Sequence, residues 1–157
     1  MGTVVGQVID YLVSALAAPA VVAQPDAMVI DCLTNDEVSS SMIWIGRMQP
    51  EDLMAATGNR NIPVLGRRSV DETWQVYGFT DCRRDGTAQK VARDAALSLW
   101  DVVAHLVGTD PTLGGLLTNG WFVEIPTAEL IQPDPPATGS SRAVVKFSIS
   151  IRNRYNP

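Results

Sequence analysis

His105 is the only histidine in the chain, so a hydrolase triad or a histidine-based metal site would have to use it. Ser98 lies seven residues earlier on the same predicted helix, two turns away, which is too far for a nucleophile hydrogen-bonded to His105. In the last turn of a helix an imidazole complements the helix dipole. We therefore expect a structural role for His105.

Other residues with reactive or ligating side chains are dispersed. The carboxylates form neither the close pair of a glycosidase nor the alternating acids of a calcium loop. Gly114, Gly115 and Gly120 do not form a phosphate-binding pattern between a strand and a helix. Cys32 and Cys82 are far apart and lack metal-site spacing, so we expect free, buried thiols. The sequence predicts no catalytic residue, no metal site and no cofactor.

The best functional candidates lie in or beside residues 47–69, which have no regular pattern. Unstructured connections of about twenty residues are uncommon unless they are functional. Arginine is enriched at interfaces, and the acids that follow the segment could be matched by arginines of a neighbouring copy. We predict a contact arm at 47–69, with these candidates for a subunit or tube interface: Arg47, Arg60, Arg67, Arg68, Asp71 and Glu72. The alternative is a solvated loop with scattered arginines.

The end of the chain has the clearest structural pattern, a strict alternation from Ser141 to Arg154. Alternate side chains of a strand point to opposite faces, so a long strand with one buried face is predicted. Its apolar side would be Val145, Phe147, Ile149 and Ile151, and its polar side Lys146, Ser148, Ser150 and Arg152.

The remaining elements are predicted from apolar spacing and turn residues. A helix is expected over 3–18, ended by Pro19, and a second helix over 87–107, capped by Asp85. Strands are expected over 27–33, 41–46, 70–80 and 121–131, and a Pro-rich loop over 132–141 leads into the last strand as an antiparallel hairpin. These elements predict one α+β domain over 1–157. It has a mainly antiparallel sheet of four to five strands, two helices packed on one face and a long irregular arm.

Composition narrows the function classes. The chain has 157 residues, 46% of them hydrophobic, and a net charge of -5, which argues against a sequence-reading nucleic-acid binder. No basic segment precedes the first apolar stretch, and no run of 18 apolar residues occurs, so neither a leader nor a membrane span is expected.

The order of elements resembles the tail terminator (tail completion) proteins of long-tailed bacteriophages. The similarity covers nearly the whole chain: an N-terminal helix, strands broken by a long arm, an Ala-rich helix (Thr87 to Val107), and a closing strand pair that ends in Val144 to Arg152. It lies in element order, length and acidity, because the family has no catalytic or ligand motif to compare.

The resemblance implies a structural virion protein, assembled in the host cytoplasm and located at the head-proximal end of the tail. Such a protein forms a ring, most simply a hexamer, that caps the tail tube, ends its polymerisation and offers a joining face to the head connector or stopper protein. DNA would pass through the lumen without specific binding, and no membrane would be involved. The 47–69 arm and the 132–141 loop would contact the tube or the next ring.

Two other classes of function remain open. One is another neck or head-completion protein of the same particle, or a tail tube subunit. The other is a small cytoplasmic enzyme or ligand-binding domain, whose pocket would be expected around Asp31, Glu124 and His105.

Overall fold

The computed structural model describes residues 4–31, 39–48, 52, 54–61, 70–86, 88–117, 123–133 and 139–155. Within these ranges the elements are α1 (Val5–Ala23), β1 (Ala27–Ile30), β2 (Ser41–Ile45), β3 (Ala56–Asn61), β4 (Val70–Asp85), α2 (Gln89–Thr109), β5 (Val123–Ile131) and β6 (Ser140–Tyr155). The strands form one sheet of order β1-β2-β4-β6-β5, and β3 also pairs with β4. Only the β1–β2 pair is parallel among the described pairs, so the predicted α+β fold with a mainly antiparallel sheet is confirmed.

The alternating end of the chain forms β6, which pairs with β4 over sixteen residues, from Val70 opposite Tyr155 to Asp85 opposite Ser140. The predicted faces are confirmed. Val145, Phe147, Ile149 and Ile151 are buried towards the helices, and Lys146, Ser148, Ser150 and Arg152 lie on the other face.

Both helices pack on one face of the sheet, as predicted. α1 buries Val8, Leu12, Leu16 and Ala20, which recur every four residues along one side of the helix. α2 buries three alanines, Ala92, Ala95 and Ala96, and their small side chains let the helix lie close to the strands. The Thr80 hydroxyl accordingly donates to the carbonyl oxygen of Ala96 at 3.0 Å. The core between these layers is continuous from α1 through α2 to β6.

Two predicted helix ends are wrong. α1 runs through Pro19 to Ala23, because Leu16 and Ala20 continue the buried stripe while Pro19 lies on the exposed side. α2 starts at Gln89 after Ala88, with no side-chain cap, and Asp85 is the last residue of β4 instead. In both cases burial of the apolar stripe outweighs the local stop or cap signal.

The largest difference lies in residues 47–69, where β3 supplies a strand that the sequence does not predict. β3 is almost entirely polar and exposed, so it has no alternating pattern. It is held by antiparallel pairing with β4, and the Trp74 ring lies directly against Gly58, where any β-carbon would be within 2.3 Å of the ring. In the described part of the chain, β3 brings the sheet to six strands, against the predicted four to five.

A side-chain hydrogen bond fastens α1 to the turn that follows α2. The Tyr11 hydroxyl donates to Oδ2 of Asp110, and the same oxygen accepts the Gly114 backbone N–H at 2.7 Å. The bond from Tyr11 holds the pKa of Asp110 below its ordinary value of 3.8, and the bond to Asp110 raises the pKa of Tyr11 above 10.0. The turn held in this way buries Leu113 completely.

We expect Tyr11→Phe to lower the free energy of unfolding by about 1 kcal/mol at pH 7, because a half-exposed hydrogen bond to a carboxylate is lost while the ring stays packed. Folding lowers the pKa of Asp110, so the ionised carboxylate stabilises the folded state at every pH above the ordinary carboxyl pKa. This stabilisation is lost as the pH falls through the lowered pKa of Asp110 in the folded protein. Urea unfolding of the wild type and of Tyr11→Phe should therefore give a smaller difference in the free energy of unfolding near pH 2.5 than at pH 7. Tyr77→Phe, which removes a hydroxyl near Thr57 on the surface, is the control and should change stability much less. An equal loss of stability in Tyr11→Phe and Tyr77→Phe would show that the Tyr11–Asp110 hydrogen bond contributes no more than a surface hydroxyl.

Candidate subunit interface

One edge of β4 is shared by two shorter strands. β2 pairs with residues 78–82 of β4, and β3 pairs with residues 71–76, while β6 follows the opposite edge along its whole length. The name arm is used from this point for β3, residues 70–77 of β4 and residues 148–155 of β6, a wider unit than the arm predicted over 47–69. It is an antiparallel ribbon continuous with the main sheet; it has three strands at its end, and β5 pairs with β6 as a fourth strand at residues 148–151.

The end of the arm lies beyond the helix layer. The Val123 backbone N–H donates to the carbonyl oxygen of Pro111, in the turn after α2, and Val123 is opposite Ile151 of β6. Three residues of β6 follow Ile151 before Tyr155, and the first of them on the helix side, Asn153, is still buried. The arm tip (residues 59–61, 70–73 and 152–154) extends about 10 Å past the turn, at 3.3 Å per residue.

Glu72 is the most unusual residue of the arm tip, because its carboxylate side chain is only 1% exposed. Trp74 donates its indole N–H to Oε1 of Glu72, and the Arg60 guanidinium lies 3.4 Å from the same oxygen. Asn153 is opposite Glu72 on β6 and is also buried. A buried acid is costly unless it is paired, so the side chain of Arg60, itself half exposed, ties β3 to β4 at this point.

The opposite face of the arm tip carries a second ion pair. Arg154 donates through Nε and Nη2 to the two carboxylate oxygens of Asp71, directly across the β4–β6 pair. These bonds lower the pKa of Asp71 and raise that of Arg154. The bidentate geometry links the two longest strands, β4 and β6, at the arm tip.

The face of the sheet away from the helices changes character along its length. Near β2 it carries an apolar cluster in which Trp44 stacks on Phe79 at 5.7 Å, with Met42 and Val144 beside them. Along the arm it carries Arg152 and the Asp71–Arg154 pair near the tip, and hydroxyl and amide side chains nearer the body. Several of the hydroxyl groups bond to one another, as in Thr57 with Tyr77 and Ser148 with Thr127 of β5. A shallow cavity of about 310 Å³ lies at the border, lined by Met48, Tyr77, Thr127, Glu129, Lys146 and Ser148.

The predicted interface residues fall into three groups. Arg60, Asp71 and Glu72 all lie at the arm tip because β3 pairs with β4, with Asp71 on the opposite face from the other two. Arg47 does not join them, because its guanidinium lies 4.9 Å from the centre of the Trp44 ring on the apolar cluster. Arg67 and Arg68 lie outside the described residues, as do residues 134–138 of the predicted 132–141 loop.

Asp71 and Glu72 both have arginine partners within their own chain. The sequence suggested that a neighbouring copy could supply arginines to both acids. In the structure Asp71 is paired with Arg154 and Glu72 is buried against Arg60, all within one chain. The missed partner, Arg154, could have been found only from the register of β4 with β6, which local sequence does not give.

The residues named for an enzyme pocket are not brought together. Asp31 follows β1 and Glu124 lies on β5, at opposite edges of the sheet, which four strand spacings place about 19 Å apart. His105 lies on α2 in a groove with Pro19, Asp101, Val102, Leu106 and Thr109. In the described part of the chain no three potential metal-ligating side chains form a group.

Cys82 is buried in the core, and burial raises the pKa of its thiol to about 11, which keeps it protonated and unreactive. The predicted buried, free thiol is confirmed for Cys82, while Cys32 lies outside the described residues.

Sequence reasoning also missed a polar network centred on Arg84. Its guanidinium donates to Gln24 and to Ser41, both at 2.8 Å, and Gln24 in turn donates to Ser98 at 2.9 Å. The network joins the end of α1, strands β2 and β4, and the middle of α2. No sequence signal marks it, because its members are far apart in the chain.

Comparison with known proteins leaves the family of the chain undecided. No protein-family model matches it, and no curated protein matches it.

Proposed function

We propose that this chain is a structural subunit of a long-tailed phage. It forms a ring that caps the head-proximal end of the tail tube, ends tube polymerisation and joins the tube to the head connector. A ring of six subunits is what the resemblance to the tail terminator family implies. The observation that carries the proposal is the sixteen-residue β4–β6 pair, which runs unbroken from the helix-covered body into the arm.

This arrangement suits a ring subunit because it couples two surfaces rigidly. The body, with its helix layer, can meet neighbouring subunits around a ring, while the arm reaches out of the body toward another component. Ion pairs at the arm tip keep the three strands in register without help from the helices. A flexible loop in the same place would lose more entropy on binding.

The charge and the polar sheet face are consistent with a channel for DNA. The net charge is -5, which disfavours retention of a polyanion. Along the arm, the outer face carries hydroxyl and amide groups, including Thr73, Gln75 and Ser150, together with Arg152 and an Arg154 that is paired with Asp71. A wall of this kind can be wetted by water and passed by DNA without specific binding.

The test is the native mass of the purified protein together with negative-stain images, recorded alone and with tail tubes. We expect a discrete ring, alone or on the tube end, and no growth beyond one ring. Long tubes formed by the pure protein would identify a tube subunit instead. A stable monomer that never joins a tube would overturn the proposal and favour the enzyme or ligand-binding alternative.

A further inference from the structure

A groove runs between the two helices on the outer surface of the helix layer. α1 and α2 lie antiparallel, because Tyr11 of α1 bonds to Asp110 after α2, and Gln24 at the end of α1 bonds to Ser98 in the middle of α2. At 1.5 Å per residue, the stretch of α1 between Tyr11 and Gln24 makes the groove about 20 Å long. We call this surface the α1–α2 groove. It contains a cavity of about 440 Å³ that is lined by Pro19, Asp101, Val102, His105, Leu106 and Thr109.

The groove and the ridge of α1 beside it offer apolar and short side chains. Val102 and Leu106 are half-buried and reach the core, and Pro19 lies exposed across from them. Ala18 and Val22 lie on the ridge, and Val22 is 86% exposed. The whole ridge is the solvent-facing row of α1, whose exposed members recur every four residues: Asp10, Ser14, Ala18 and Val22. An apolar groove beside such short side chains can receive the apolar face of another helix.

The exposed acids beside the groove have no basic partner. Asp101 lies on the rim of the groove, one turn before His105, and Asp10 lies on the α1 ridge. In the described part of the chain, neither of these two acids forms an ion pair with Lys or Arg. Asp110 closes one end of the groove, where the bond from Tyr11 holds its pKa below the ordinary value. Negative charge therefore borders the apolar surface, which favours a partner with Lys or Arg next to its apolar side chains.

The basic residues near the groove are paired with other acids. α1 contains no Lys or Arg, and Lys90 and Arg93 of α2 both contact Asp94, within the first two turns of that helix. Arg84, which reaches the end of α1, is paired with Asp26. These pairs leave the acids of the groove to a partner.

A lipid surface is a poor candidate for that partner. By length and composition α1 could cross a membrane, but its stripe of Val8, Leu12, Leu16 and Ala20 is fully buried in the core. An acidic rim also repels the anionic lipids that hold amphipathic helices at a membrane. A protein surface fits the groove better.

We propose that the α1–α2 groove binds a basic amphipathic helix of a partner protein. Apolar side chains of that helix would pack over Pro19, Val102 and Leu106, and its Lys or Arg side chains would lie next to Asp10 and Asp101. A helix of about 14 residues, or four turns, matches the groove length of about 20 Å. The acidic rim disfavours an acidic helix, and it disfavours α1 of a second copy, which has no basic residue.

Binding of a model peptide tests the groove directly. The probe is a fluorescent peptide of about 14 residues, with Leu at helical spacing on one face and Lys on the other. Its matched controls carry Glu in place of Lys or Ala in place of Leu. Fluorescence anisotropy with the purified chain should show binding of the Leu–Lys peptide that weakens as salt is added, and no binding of either control.

Three variants locate the binding. Asp101→Asn should weaken it about three- to five-fold, because one charge of the rim is lost. Ala18→Arg should weaken it by about ten-fold or more, because it adds bulk and positive charge to the ridge. Since Ala18 is exposed, the melting temperature of this variant should change little. Glu124→Gln is the control, because it makes the same change in net charge on the other face of the sheet, opposite Ser150, and should leave the affinity unchanged.

Each other result overturns the inference. An equal loss in Asp101→Asn and Glu124→Gln, or binding of the Ala–Lys peptide, would show only a general attraction to an acidic chain. Failure of the Leu–Lys peptide to bind would exclude a basic helix. In that case, binding to phosphatidylglycerol vesicles would identify a lipid surface, and a native mass that Ala18→Arg halves would identify a second copy. The peptide is added to the purified chain at whatever native mass it has, so a failure to bind leaves the proposed function standing.

Discussion

Gly78→Ala should destabilise the protein by about 3 kcal/mol or more and abolish folding at 37 °C. Gly78 lies in the centre of the sheet, opposite Ile45 on β2 and Phe147 on β6. A β-carbon there would stand 2.6 Å from the carbonyl oxygen of Trp44 and 2.6 Å from the Phe147 ring. Neither contact can be relieved cheaply, because the first is backbone and the second is a ring packed 5.2 Å from Trp100.

Gly108→Ala is the matched control for this change. Gly108 lies in α2 with nothing within 4 Å of an added β-carbon, so alanine should be neutral or stabilise the helix by up to about 1 kcal/mol. Thermal and urea unfolding should show a large loss of stability for Gly78→Ala and no loss for Gly108→Ala. Equal stability of Gly78→Ala and wild type would show that the sheet has room for a β-carbon between the Trp44 carbonyl and the Phe147 ring. Adding Phe147→Leu to Gly78→Ala should restore only part of the loss, since the contact with the Trp44 carbonyl remains.

Deleting residues 59–68 should abolish attachment to tail tubes while the subunit stays folded. The deletion leaves residues 56–58 of β3 paired with residues 74–76 of β4, joined through residues 69–73. Gly58 keeps its place under Trp74, so the base of the arm is retained. Glu72 loses Arg60 but becomes part of the new connection, where water can solvate its carboxylate. We expect a loss of about 1–2 kcal/mol in the free energy of unfolding, well below the cost of a core substitution.

Co-sedimentation with tail tubes measures attachment, and thermal unfolding measures the fold. Arg60→Gln is the matched variant, because it keeps every residue of the arm and removes one charge next to Glu72. Partial loss of attachment in Arg60→Gln would show that the positive charge of Arg60, and not only the length of the arm, contributes to binding the tail tube. Full attachment after the deletion would contradict a contact role for the arm. Collapse of the deleted protein would show that the arm belongs to the core.

Much of the architecture could be predicted from the sequence, because it depends on burial patterns with a fixed period. The alternation of β6 and the four-residue spacing of α1 each identify an element and its buried face. The Ala-rich stripe of α2 likewise predicts a helix close to the sheet, where Ala96 contacts Thr80. In these elements local preference and tertiary packing agree.

Other features were decided only by the tertiary structure. β3 has no pattern of its own and exists through its pairing with β4 and the Trp74 ring over Gly58. The partners of Asp71 and Glu72 depend on the register of long strands, which no local signal specifies. The sequence by itself determined which face of each helix and of β6 is buried, since apolar side chains favour burial away from water wherever they lie in a fold. Only the tertiary structure decided which polar groups meet, because a hydrogen bond or ion pair requires two atoms that the fold brings from distant parts of the chain.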